Sequence, residues 1–219
     1  FAGCAVLYAG ALWLPAIGKF LNVRLGGKLS DPSTQNILGM CVALSGLVGV
    51  FCSIMIYQDT RRTFWRMAMT SLKFFGTTIL LGPATLLFTL VLWFTFAPGV
   101  ESQPVFQLVM RALYGVIAII ATAKLSWEAS VFYHLRDRGW TNMKRTALLM
   151  VDELRCMAIG RFVCGVAGGI ILPLLGWSAL SSIGVVSFIF ALLLIGELLE
   201  RYLFFTAVIP PKMPGGIAS

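Results

Sequence analysis

Two pairs of oppositely charged side chains lie within otherwise apolar runs of this 219-residue sequence. Lys124 and Glu128 are four residues apart, so on a helix they share one face and can form an ion pair. Glu197 and Arg201 have the same spacing. An ionised group at the centre of a bilayer costs about 2.5–3.5 kcal/mol on insertion scales. Such a pair either locks its helix to its neighbours or forms a proton relay beside a lipophilic redox ligand.

Two further charged residues extend this set. Arg161 opens a later apolar run and is expected to meet one of the two glutamates of the last run, Glu197 or Glu200. Glu197 lies deep in that run, whereas Glu200 and Arg201 are expected at the level of the lipid head groups.

A second group of polar side chains follows the end of an apolar run, in the segment SIMIYQDTRRTFW at residues 53–65. Its phenol, carboxylate, indole and guanidinium groups are all common at a membrane edge, as interfacial anchors or markers of the cytoplasmic side. A quinone head group, however, needs donors for its two carbonyl oxygens and a titratable group that exchanges protons. We therefore predict a quinone site bordered by five side chains: Tyr57, Asp59, Trp65, Lys124 and Glu128.

The composition indicates that membrane spans position these groups. Charged residues make up 12% of the chain and hydrophobic residues 58%, with a mean hydropathy of +0.89. A soluble globule cannot bury so much apolar surface and still cover itself with polar groups. These values exclude a soluble enzyme, a disordered chain and a nucleic-acid-binding protein. We predict an all-α, polytopic bundle of transmembrane helices.

Runs without charged residues predict six spans in a single integral-membrane domain over residues 1–219. The longest run, residues 162–196, has 35 residues and exceeds one crossing of a core about 30 Å thick, so we divide it within residues 174–182. In its first half, Gly165 and Gly169 predict close packing against a neighbouring helix. Because the sequence does not begin with Met, a preceding segment is expected. The predicted spans are about 1–18, 36–58, 74–97, 106–133, 157–176 and 182–207.

Basic residues in the loops predict the orientation. Alternate loops share a side of the membrane, and one side carries eleven of the 17 Lys and Arg residues against four on the other. Positive charge accumulates on the cytoplasmic side, which places Arg61, Arg138 and Lys212 in the cytoplasm. The same face is a candidate docking surface for a soluble partner. The residues predicted to dock it are Arg61, Arg62, Arg66, Arg136 and Arg138.

Cysteine and histidine usage argues against metal ligation by this chain. The five cysteines include no CxxC pair, and we predict that they are free, buried thiols. The single histidine, His134, cannot supply both axial ligands of a bis-histidine haem. We therefore predict a chain without haem.

Three segments resemble the membrane-anchor subunits of dimethyl sulfoxide reductase and related membrane-bound molybdopterin oxidoreductases. FALLLIGELLERYLFFTAVIPPKMPGG at residues 190–216 is similar to the closing span of that family, MIYQDTRRTFWRMAMTSLKFFGTTILLGPA at 55–84 to a junction between spans, and KLSWEA at 124–129 to a span with a buried glutamate. The family has eight spans, and this chain is similar to the third to the eighth. Two motifs associated with the family's quinol site, His-Leu-Gly-x-Pro and Ser-Arg-Glu, do not occur in this sequence and are expected in the preceding segment.

This resemblance implies a complex in the bacterial inner membrane. A molybdopterin catalytic subunit would act on the substrate, and a four-cluster ferredoxin-like iron–sulfur subunit would carry the electrons. This multi-pass chain, surrounded by membrane lipid and not itself catalytic, would anchor both and exchange electrons with menaquinone or ubiquinone. The competing interpretation is a transporter or channel component with a buried Lys–Glu pair, although no internal repeat relates the first three spans to the last three.

Overall fold

The computed structural model of the chain describes residues 32–60, 65, 67–96, 104–178 and 182–207. Every regular element in these residues is helical, as predicted. The α-helices are α1 (Pro32–Asp59), α2 (Met67–Phe96), α3 (Pro104–Ala129), α4 (Asn142–Val151), α5 (Arg155–Val166), α6 (Leu172–Ser178) and α7 (Ile183–Thr206). A 3-10 helix, Ser130–Arg136, continues α3, and a π-helical turn, Ala167–Ile171, joins α5 to α6.

Five helical stretches of the described residues are long and apolar enough to cross a membrane. They overlap the residues of the predicted second to sixth spans, and α6 ends at Ser178, within the residues at which the long apolar run was divided. The predicted span at residues 1–18 lies outside the described residues. The five stretches are Ser33–Asp59, Met67–Thr95, Val105–Arg136, Arg155–Trp177 and Ile183–Thr206.

The chain divides into two compact units, residues 1–60 and 61–219. In the first unit, α1 is a single helix of 28 residues. Tyr57 and Asp59 lie in its last turn, where Tyr57 is half-buried and Asp59 is exposed. The hydroxyl group of Thr60 donates to Tyr57 O at 2.6 Å and closes the end of the helix.

The second unit has an apolar half and a charged half. Its core residues come from the middle and last parts of α2, the first and middle parts of α3 and the first half of α7, with Leu87, Ile117 and Val186 all fully buried. Phe88 of α2 stacks on Phe190 of α7, with the ring centroids 5.2 Å apart. Because neighbouring helices run in opposite directions, the remaining halves of these helices meet at the other end of the unit.

Glycines let the fifth span approach its neighbours closely, as the small-residue pair predicted. A Cβ atom on Gly169 would lie 2.5 Å from Cβ of Ala121 in α3, and one on Gly165 would lie 2.8 Å from Cδ2 of Leu125. The π-helical turn around Gly169 has a local cause. Pro173 lacks an N–H group, and in a regular helix its ring would clash with the carbonyl group of residue 169.

The prediction of buried cysteines was wrong for three of them. Cys41, Cys52 and Cys156 are exposed on the surfaces of their helices, and Cys164 is partly buried. Cys4 lies outside the described residues. In a membrane bundle, apolar side chains face lipid as well as the protein interior, so an apolar run does not distinguish the two.

Candidate functional site

Seven charged side chains from four helices meet in the second unit, at the end where α2 and α5 begin and α3 and α7 end. Six of these side chains are at most 8% exposed, and the seventh is 22% exposed. The six buried side chains carry three positive and three negative charges, so their charges balance. We call this set the ionic network: Lys73, Lys124, Glu128, Arg161, Glu197, Glu200 and the more exposed Arg201.

Glu197 of α7 accepts a hydrogen bond from each of three other helices. Its Oε2 atom accepts from Lys124 Nζ of α3 and from Thr77 Oγ1 of α2, the latter at 2.6 Å. Its Oε1 atom accepts from Arg161 Nη2 of α5 at 3.0 Å. A buried carboxylate that is bonded to two cations contributes strongly to holding their helices together, because the loss of either cation leaves a buried charge unpaired.

Arg161 joins two glutamates from different helices, Glu128 and Glu197. Its Nε and Nη2 atoms donate to Oε2 and Oε1 of Glu128 at 3.0 and 2.9 Å, a bidentate arrangement. The guanidinium group fits because two glycines face it: Cβ atoms on Gly165 and Gly196 would lie 3.2 and 3.0 Å from Nη1. Arg161 therefore meets Glu197, as expected from the sequence, and also Glu128, which was not expected.

Lys124 has a different main partner from the one its spacing suggested. Its Nζ atom lies 3.7 Å from Glu128 Oε1, four residues along the same helix, so this predicted pair does form. Its shortest ion pair is nevertheless with Glu197 of α7. The Lys124 side chain reaches that carboxylate across Gly76 of α2, where a Cβ atom would lie 3.4 Å from Cε of the lysine.

Glu200, which the sequence predicts at the level of the lipid head groups, lies in the interior of the second unit. Glu200 is 2% exposed because it lies on the inward face of α7, one turn after Gly196. Its oxygens lie 3.2 Å from Lys73 Nζ and 3.7 Å from Lys124 Nζ. Lys73, which the sequence assigned to the basic loops, is therefore a buried residue of α2. The excess of basic loop residues on the predicted cytoplasmic side is smaller by this one residue.

Arg201 lies at the more exposed side of the network. Its Nη2 atom donates to Thr77 Oγ1 at 2.8 Å and to Lys73 O at 3.2 Å. The guanidinium carbon lies 3.8 Å from the centre of the Phe74 ring, a cation–π contact. Within the described residues Arg201 forms no ion pair with Glu197, although their spacing allowed one; the carboxylate nearest to it is that of Glu200, at 4.0 Å.

Comparison with known families identifies the kind of protein that contains this network. Residues 7–207 match the family of DMSO reductase anchor subunits, DmsC. The chain belongs to this family. It has no match among curated proteins or among solved structures. The family predicted from the three sequence segments is therefore confirmed.

Membership of the DmsC family defines the general role of the chain. It is a multi-pass membrane protein and the membrane anchor of a DMSO reductase complex. The partners that the family implies are a molybdoenzyme catalytic subunit and an iron–sulfur subunit, and the family is associated in general with quinone. The ionic network thus lies inside the anchor of an electron-transfer complex.

In this DmsC-family anchor, Trp65 connects to the ionic network through Phe204. Its Nε1 atom donates to Phe204 O at 3.1 Å, and the two rings stack with centroids 5.6 Å apart. Lys73 Nζ lies 5.5 Å from the centre of the same Phe204 ring. The indole N–H group therefore already has an acceptor within the protein.

Of the five side chains predicted to border a quinone, Lys124 and Glu128 are in contact. Trp65 stacks on Phe204, and the Phe204 ring in turn faces Lys73 of the network. Tyr57 and Asp59 belong to the first compact unit. Of the residues predicted to dock a partner, Arg136 and Arg138 are exposed, whereas three lie outside the described residues: Arg61, Arg62 and Arg66.

The sequence interpretation missed two members of the site on α2. Lys73 was assigned to a loop, and Thr77 was not considered, although it bonds to Glu197, Lys124 and Arg201. The available signal was their spacing: Thr70, Lys73 and Thr77 recur at intervals of three and four residues, which places them on one face of a helix.

Proposed function

We propose that this anchor exchanges electrons between the iron–sulfur subunit of its complex and quinone in the bacterial inner membrane. We place the exchange at the end of the second unit that contains the ionic network. The observation that supports this most is the concentration of seven charged side chains in one half of an otherwise apolar bundle. Charged groups within a membrane are costly and usually mark a pathway for a substrate or an ion, or a proton relay.

The chemistry of the network suits a quinone substrate, which needs hydrogen-bond donors at its oxygens and a partner for proton exchange. The Nη1 atoms of Arg161 and Arg201 are buried without a hydrogen-bond partner among the described residues, so they are unused donors of the network. Glu128 orients Arg161, and Lys124 lies between the glutamates. The sequence-based prediction that Tyr57 and Asp59, in the last turn of α1, bind quinone stays a prediction, and menaquinone or ubiquinone is proposed as the substrate.

The side of the membrane that carries the excess of basic loop residues, here called the basic face, supplies the proposed docking surface. Arg136 and Arg138 are exposed at the end of the 3-10 helix that continues α3. The network lies at this same end of the second unit, since Glu128 is in the last turn of α3. A four-cluster iron–sulfur subunit docked here, with Arg61, Arg62 and Arg66 contributing, brings its electrons to the end of the anchor that contains the proposed quinone site.

Two assays on the purified complex test this proposal. Turnover with a soluble dye measures the catalytic and iron–sulfur subunits, and turnover with a soluble quinone analogue requires the anchor as well. We expect the complex without this chain to keep the dye activity and to lose the quinone activity. Equal quinone activity with and without this chain contradicts the proposal, and solute uptake by the chain alone in proteoliposomes supports a transporter.

Glu128→Gln tests the site within the intact complex. The substitution preserves the shape of the side chain but removes the charge that Arg161 binds. We expect turnover with quinone to fall at least tenfold, about 1.4 kcal/mol of barrier, while turnover with dye is unchanged. Glu153→Gln, at an exposed position outside the network, is the matched control. If the substitution lowers both activities equally, or changes neither, Glu128 is only a structural partner of Arg161.

A further inference from the structure

The three glutamates of the ionic network differ in how their oxygens are bonded. Glu197 accepts three hydrogen bonds, and Glu128 is held by two nitrogens of Arg161. Glu200 is 2% exposed, yet neither of its carboxylate oxygens accepts a hydrogen bond within the described part of the chain. A buried carboxylate that lacks hydrogen bonds is energetically costly and requires an explanation.

This difference decides which carboxylate can take up a proton without disrupting the network. Protonation of Glu197 weakens its bonds to three helices, and protonation of Glu128 weakens the bidentate contact with Arg161. Protonation of Glu200 weakens ion pairs but removes no hydrogen bond, and it adds an O–H donor. We infer that Glu200 is the residue that carries protons between the aqueous phase and the quinone site, an inference that rests on the proposed function.

The position of Glu200 agrees with this role. It lies three residues beyond Glu197, about 4.5 Å further along α7 towards the end of the bundle. The next residue, Arg201, has the most exposed side chain of the network, at 22%. A proton that enters along α7 from the basic face therefore reaches Glu200 before Glu197.

The charges around Glu200 determine how it responds to an electron. Cations from three helices lie within 4.0 Å of it. The six buried charges of the network balance, so one added proton leaves these six groups with a net positive charge. This charge favours transfer of the proton to a neighbouring group that has received an electron. The charged groups within 4.0 Å of its oxygens are Lys73 of α2, Lys124 of α3 and Arg201 of α7, and Arg161 of α5 interacts with it electrostatically.

The proton and electron balance is that of the quinone couple. Reduction of a quinone to a quinol consumes two electrons, which the iron–sulfur subunit supplies, and two protons. Glu200 transfers the protons one at a time, and its carboxylate takes each replacement from water at the basic face. Oxidation of a quinol follows the same steps in reverse, so the only bond of the chain that forms and breaks is the O–H bond of this carboxyl group.

The test compares Glu200→Gln with Glu153→Gln in the complete complex, with turnover measured as a function of pH. Glutamine has nearly the same shape as glutamate but cannot carry a proton. We expect Glu200→Gln to lower quinone turnover at least tenfold and to remove a titration step from its pH profile, with dye turnover unchanged. Glu200→Asp keeps a carboxyl group, and we expect it to restore much of the activity with a shifted pH profile.

The outcomes distinguish this inference from the proposed function. If the unmodified complex shows no quinone turnover, the proposed function itself is wrong. If the unmodified complex is active and Glu200→Gln has the same rate and pH profile, only the role of Glu200 is wrong. If Glu200→Gln does not assemble, Glu200→Asp decides, because an unchanged pH profile in that variant also overturns the inference.

Discussion

Arg161 of α5 binds both carboxylate oxygens of Glu128 of α3, although 33 residues separate them in the chain. The same guanidinium group binds Glu197 of α7, so one side chain joins three membrane-spanning segments. Both contacts are made by a side chain that is 1% exposed. One buried cation therefore links α5 to both α3 and α7.

Removal of Arg161 should strongly destabilise the bundle. Arg161→Ala removes the main cation of Glu128 and one of the two cations that bind Glu197. Breaking a buried ion pair in this way costs about 3–5 kcal/mol. Arg161→Lys keeps the charge but cannot make the bidentate contact, so an intermediate loss is expected. The free energy of unfolding in detergent, followed by circular dichroism, measures both.

A more exposed ion pair provides the control for that experiment. His134 and Asp137 lie 3.0 Å apart with side chains 40% and 37% exposed, so Asp137→Asn should change the free energy of unfolding by less than about 1 kcal/mol. A comparable effect at Asp137 and Arg161 would mean that burial does not strengthen the network.

Gly196 should not tolerate a side chain. The Cβ atom of Gly196→Ala would lie 3.0 Å from Arg161 Nη1 and 3.4 Å from Cys164 Cβ. The guanidinium group cannot easily move away, because its Nε and Nη2 atoms are bonded to the carboxylates of Glu128 and Glu197. Overpacking of this kind costs about 1–3 kcal/mol. Gly82→Ala is the control, since no atom lies within 4 Å of that position. Thermal unfolding of the two variants in detergent tests this, and equal stability would show that Arg161 can move.

Charge reversal on the basic face should weaken docking of the iron–sulfur subunit. For Arg136→Glu with Arg138→Glu we expect at least tenfold weaker binding at low salt, and the difference should shrink as salt screens the charges. A second double variant, Arg61→Glu with Arg62→Glu, tests the other predicted segment. Arg111→Glu, near the start of α3 and so at its opposite end, is the control. Unchanged co-purification in both double variants would exclude this face as the docking surface.

The orientation of the chain can be tested with thiol reagents. In a variant whose exposed Cys41, Cys52 and Cys156 are replaced by serine, Gly139→Cys places a thiol in the exposed loop after the 3-10 helix. We expect a membrane-impermeant reagent to label it only from the cytoplasmic side. Labelling of intact cells from the periplasm would reverse the predicted orientation.

Several features of the structure follow from local sequence. The second to sixth spans agree with the helices because a charge-free run of about 20 residues has few alternatives to a membrane helix. The Lys124–Glu128 pair forms because helix geometry alone brings residues four apart together. The Gly169 contact with Ala121 likewise follows from small residues at helical spacing, although the sequence does not identify the partner helix.

The sequence by itself determined the all-helical membrane class, the family and the residues that share a helix face. Only the tertiary structure decided the partners across helices: Lys124 binds Glu197 more closely than Glu128, Arg161 binds Glu128, and Lys73 and Glu200 are buried together. The physical reason is that these contacts depend on the rotation and separation of neighbouring helices. Those quantities are set by packing at positions such as Gly165 and Gly196, which lie far apart in the chain and carry no charge.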